Sequence, residues 1–190
     1  GDYAKILSDY VYNQSIETSY FSFVGDDDIF VDITGFIEAQ NFLLNNPKHS
    51  ICNITRADDI VGYNKSNFTD IEGIEYVKNF INLNLIDKES VTHIFNLKII
   101  RKNKSLKFLN LRQEGLEDFY GFDMYLLFNT AINGKVKYLD TKVGIKTAFQ
   151  GNEIRYTVRY PLTQWICYYI YSLFSLESVS GKITEKEKKI

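Results

Sequence analysis

The chain is poor in the residues that most often build compact reactive sites. Its 190 residues include only two Cys, two His, two Pro, one Met and one Trp. Cys52 and Cys167 are far apart, and two thiols do not establish an oxidising compartment. With only His49 and His93 beside them, no Cys/His cluster at zinc spacing exists. A basic excess is also missing. The formal net charge is −2, so the chain as a whole lacks the cationic footprint of a protein that lives on a phosphate backbone, and nucleic acid is disfavoured as a partner. The most basic run, "KIIRKNKSLK" at 98–107, reads as a charged hairpin tip. No window holds the roughly 18 apolar residues of a bilayer span. Phosphate-binding glycine loops are lacking, since "NGK" and "GNE" read as turns, and no Ser-nucleophile elbow occurs. Internal repeats and low-complexity stretches are absent too. Because the chain opens on Gly1, a signal peptide or membrane anchor would lie upstream of it.

What the chain does have is a core and a surplus of rings. Hydrophobic residues make up 45% and charged residues 24%, a globular balance. Fourteen Tyr and fourteen Phe are present. A tyrosine ring is apolar with a polar tip, which suits half-buried and partner-facing positions. The length suits a single domain over 1–180 with a charged tail at 181–190.

Periodicity divides that domain into a helical part, about 1–90, and a sheet part, about 91–176. "DYAKILSDYVYNQ" places Tyr3, Ile6, Leu7, Tyr10 and Val11 on one helical face. "GDDDIF" at 25–30 lacks the alternating ligands, Gly and distal Glu of a calcium loop, and reads as a solvated loop. A second helix over 33–45 turns Phe36, Ala39 and Leu43 inward and stops at Asn45-Asn46-Pro47. Residues 48–68 read as a long connection. "TDIE" at 69–72 has capping-box spacing, followed by Ile71, Ile74, Val77, Phe80 and Ile81 at helical intervals. Past residue 90 the period becomes two. "THIFNLKII" and "SLKFLNLR" flank "RKNK" as a hairpin, and "DMYLLFNTAI" and "KVKYLDTKVGIKTAF" flank Asn133-Gly134 as another. "EIRYTVRY" follows, then "PLTQWICYYIYSLF". Helices first and an antiparallel meander of five or six strands after them make an α+β fold.

One constellation carries possible chemistry. Asp140 and Lys142 in "YLDTKVGIK" share a strand face, Asp123 precedes them, and Glu117 is near. Metal-dependent nucleases of the PD-(D/E)XK type converge carboxylates on Mg²⁺ and set a lysine beside the attacking water. The same alternation is the signature of a half-exposed strand without chemistry. The hairpin register places Asp123 opposite Gly144 rather than Asp140, and the following segment reads as a strand. The wet face of a strand is the favoured reading, with no metal or other cofactor. His93 opens an apolar strand as a structural residue, while Glu114, Glu117 and Asp118 face water.

The run "VGIKTAFQGNEIRYTVRYPLTQWICYYIYSLF", 143–174, resembles the consecutive strands of the nuclear-transport-factor-like fold. More narrowly, it resembles the soluble domain of the inner-membrane assembly factor of bacterial type IV secretion systems. Thr163-Gln164-Trp165, Tyr169 and Tyr171 stand in comparable places, and "DYAKILSDYVYNQ" would be the first helix. The family's Asn-Pro-x-Gly loop is not matched, since Tyr160-Pro161-Leu162-Thr163 keeps only the Pro. The resemblance implies a membrane-tethered, non-enzymatic domain of the cell envelope or periplasm that dimerises and contacts other secretion proteins. A chain start just after an upstream anchor fits that picture. The sequence therefore leads to a curved α+β binding or assembly module, with Tyr156, Tyr160, Trp165, Tyr169 and Tyr171 as contact residues for protein partners or a second copy.

Overall fold

The computed structural model describes residues 9–13, 17–22, 28–56, 70–82, 93–103 and 122–147. A helical stretch at 9–12 leads into β1 (Tyr20–Phe21), β2 (Asp28–Asp32), α1 (Thr34–Asn45), β3 (His49–Arg56), β4 (Asp70–Glu72), α2 (Gly73–Asn82), β5 (His93–Asn96), α3 (Leu97–Asn103), α4 (Phe122–Ala131) and β6 (Lys135–Thr147). Helices and strands alternate instead of forming two blocks. The strands make one sheet in the order β1-β5-β3-β6-β2, with β4 also on β6. All pairs are antiparallel except β3 with β6, which is parallel, so the sheet is mixed rather than an antiparallel meander. Since β3 occupies one edge of β6, β4 and β2 divide the other: β4 takes Lys135–Lys137 and β2 takes Gly144–Thr147.

The centre of this sheet is the segment expected to be a connection. Every side chain from His49 to Ile54 is buried. A strand covered on both faces loses the period-two pattern, and its polar residues then mimic a loop. Ile51 packs with Tyr76 and Val77 of α2, Leu126 and Phe128 of α4, Phe95 and Val136. Cys52 and Ile54 face the other way, onto Ala39 and Leu43 of α1. Helices thus cover both faces, and removing a buried Ile or Leu from either cluster would cost about 2–5 kcal/mol.

Helix α1 forms where the sequence expects it, and its ends show why. Asp32 Oδ1 accepts the Thr34 N–H at 2.9 Å, and the Asn46 Nδ2 group donates to the Phe42 carbonyl at 2.8 Å. Three other expectations are corrected. The "TDIE" residues Asp70–Glu72 form β4, and α2 starts after them at Gly73. The strand expected through Ile100 stops at Asn96, whose Oδ1 accepts from the N–H groups of Lys98 at 3.1 Å and Ile99 at 3.4 Å. That is an N-cap, and it opens α3. The second hairpin is a helix, a turn and a strand. Asn133 and Gly134 donate their backbone N–H groups to Thr130 and Ala131, at 3.2 and 3.0 Å, and close the carboxyl end of α4. Asn-Gly serves a helix terminus as readily as a hairpin. The unbroken burial of Leu126–Ile132 erases the period that would have told them apart.

Three segments meet at that terminus without spare room. Gly73 N–H donates to the Gly134 carbonyl at 2.9 Å, and Lys135 N–H to the Lys48 carbonyl at 3.1 Å. The Ser50 hydroxyl lies 3.2 Å from the Lys135 carbonyl and 3.4 Å from that of Ala131. A Cβ on Gly73 would stand 1.6 Å from the Ala131 carbonyl oxygen, which is backbone and does not swing aside. Helix propensity alone would make Gly73→Ala stabilising by about 1 kcal/mol. The contact reverses the sign: urea denaturation is expected to find Gly73→Ala destabilised by roughly 3 kcal/mol or more. A variant as stable as the parent would disprove this close approach.

Candidate functional site

Asp123 opens α4 instead of a strand, so the hairpin that was to place it opposite Gly144 does not exist; Gly144 pairs with Asp32. Its side chain and that of Lys142 lie outside the described residues, as does Glu117. Asp140 is exposed on β6. The β3–β6 register shifts beside Asp140. Asn53 pairs with Tyr138 and Thr55 with Lys142, so three residues of β6, 139–141, stand against one of β3. A bulge re-aims side chains, and simple alternation no longer holds across it. The expected contact residues Tyr156, Tyr160, Trp165, Tyr169 and Tyr171 lie outside the described residues. Among the described residues, no three or more His, Cys, Asp and Glu side chains are grouped to hold a metal ion.

Other polar groups do come together. His49, buried, places Nε2 at 3.2 Å from Asp70 Oδ2, and its ring meets Phe42 edge-on with centroids 4.8 Å apart. Lys135 Nζ lies 3.2 Å from Glu72 Oε1 and 3.8 Å from Asp70 Oδ1. Glu72 first and Asp70 second hold the Lys135 ammonium above its ordinary pKa. These contacts clasp the short β4 onto β6 and β3. His93 is buried in β5 opposite Asn53, with its ring 6.1 Å from that of Phe95. The Asn53 amide is fully buried, with neither Nδ2 nor Oδ1 hydrogen-bonded. Cys52 is a buried free thiol whose pKa burial pushes up to about 12, which makes it a poor nucleophile.

The feature most suited to recognition lies at the corner between β2 and α1. Large apolar side chains are exposed there in close succession: Ile29 by 57%, Val31 by 56%, Ile33 by 54% and Ile37 by 51%. Phe30, between the first two, turns inward and meets Phe36 of α1 edge-on at 5.0 Å. Alternation therefore sets Ile29 on the opposite side of β2, and Val31 is exposed as well. Val31 is the residue at which the register with β6 shifts. Ile33 and Ile37 are one helical turn apart, with the Ile37 N–H donating to the Ile33 carbonyl at 3.2 Å. Several apolar residues exposed together mark an interaction surface more often than isolated ones do. The sequence reading missed this corner by taking "GDDDIF" for a loop; the signal was the apolar run Ile29-Phe30-Val31 between Asp28 and Asp32.

Once the corner is recognised, Asp32 gains a role. Its carboxylate holds the α1 amino terminus by accepting from Thr34, and those hydrogen bonds lower its pKa. A carboxyl with a depressed folded-state pKa stabilises the fold above the ordinary aspartate pKa and loses that contribution as pH falls through the folded value. Urea midpoints measured against pH are expected to show parent chain exceeding Asp32→Asn at neutral pH, with the difference vanishing on acidification. A pH-independent difference would contradict this role.

No protein-family model, curated protein or solved structure matches the chain.

Proposed function

We propose that the chain is a non-catalytic binding or assembly module for protein partners. The observation that carries this reading is the set of exposed Ile29, Val31, Ile33 and Ile37 on a corner fixed from behind by Phe30 and Phe36. Interfaces combine an apolar centre with a polar rim, and a rigid backing lowers the entropy lost on docking. The surplus of Tyr supports the same reading at the sequence level. Its finer form is a membrane-tethered secretion-system assembly domain that dimerises; this rests on the resemblance of 143–174 alone. The competing proposal is the Mg²⁺-dependent nuclease with Asp123, Asp140, Lys142 and Glu117.

Sedimentation velocity over a range of concentrations, alone and with candidate partner proteins, tests the first reading. Association is expected, with about a tenfold or greater loss in Ile29→Glu/Ile37→Glu, since burying one unpaired carboxylate costs several kcal/mol. Circular dichroism must show that variant folded. A chain that never associates would sink the proposal. Nucleic-acid cleavage with Mg²⁺ or Mn²⁺ that is abolished by Asp140→Ala would replace it with the nuclease.

A further inference from the structure

We propose that the partner of the β2–α1 corner is an extended segment with apolar side chains flanked by Lys or Arg, added as a strand along the outer edge of β2. This rests on the binding-module reading and names the partner's chemistry.

The edge comes first. β2 ends the sheet order and, among the described residues, pairs with β6 alone. Among the described residues no strand lies on its second edge, and adding a strand to such an edge is a recurring mode of peptide recognition. The edge is held in place from inside, because Phe30 is locked against Phe36 while Ile29 and Val31 stay outside. A partner strand gains main-chain hydrogen bonds and an apolar seat together.

Charge selects the partner. Residues 6–47 contain seven Asp and Glu and no Lys or Arg, although the whole chain carries a net charge of only −2. Asp28 and Asp32 bracket the exposed pair in sequence, Asp26 and Asp27 precede it, and Glu38 is exposed beside Ile37. On the inner neighbour β6, the register sets Lys146 opposite Ile29. An acidic excess attracts a basic segment and speeds its encounter. The same field repels the β2 edge of a second copy, and the register shift at Val31 further hinders edge-to-edge self-pairing. Acidic flanks and a bulge guard the edge against itself without closing it to a basic strand.

The test uses the full chain and a fluorescein-labelled heptapeptide, Lys-Val-Thr-Val-Lys-Ile-Lys, with a control in which every Lys is Glu. Fluorescence anisotropy is expected to show binding of the basic peptide only, weakening roughly tenfold or more from low to high salt as exposed charges are screened. Ile29→Ser/Val31→Ser is expected to lose at least about tenfold in affinity, the scale of two truncated apolar anchors. Amide chemical shifts on the parent chain should move along 28–33, a readout that does not depend on the variant folding. Equal binding of both peptides, no binding, or shifts confined elsewhere would overturn the inference. If the basic peptide fails while association through Ile29 and Ile37 persists, the binding-module reading stands and only the partner's chemistry falls. Should no association depend on those residues, both fall.

Discussion

The fold depends on one crowded junction, where the end of α4, the start of α2 and the first residues of β3 and β6 share backbone hydrogen bonds. Gly73 and Gly134 allow the approach because a side chain on either would meet a carbonyl oxygen. Ser50 closes the junction from β3 by reaching two carbonyls at once. Orphan carbonyls at a buried helix end are costly, and those of Thr130, Ala131 and Gly134 each accept a backbone N–H. Long-range order follows: once α4 ends on β3, β6 is delivered parallel to β3, and β4 is pulled onto the edge of β6 that remains.

Polar residues inside the sheet specify position as much as they stabilise it. Asn96 is the clearest case. Its side chain donates to the His49 carbonyl at 3.2 Å and caps α3 with its oxygen, so a single residue aligns β5 with β3 and turns the chain into a helix. His49 ties β3 to β4 across β6 through Asp70. Asn53 is the exception, since an unbonded buried amide costs about 1–3 kcal/mol. The structure gives no compensating contact for it.

How much of this was legible depended on whether one side of an element met water. Helix α1 was readable because Ala39 and Leu43 are buried while Glu38, Gln40 and Asn41 are exposed. Helix α2 was anticipated through Ile74 and Val77, but its start was displaced: Asp70–Glu72 has the letters of a cap, yet pairs with β6 instead. β3 and α4 were misread for one reason. His49–Ile54 and Leu126–Ala131 are buried all round, so period carries no information there and only tertiary context decides. At the candidate site, the Asp140–Lys142 pattern depended on simple alternation, and a register shift against β3 falls in that stretch. The β2 corner was overlooked because a run of aspartates outweighed three apolar residues.

The division of the outer edge of β6 has a kinetic consequence. Lys135–Lys137 lies between β3 and the ion-paired β4, next to the junction that holds the core. Gly144–Thr147 lies past the last β3 pairing, at Val143, and has β2 beside it. The two ends of one continuous strand therefore have different neighbours, and their amide hydrogens are expected to exchange with solvent through separate openings.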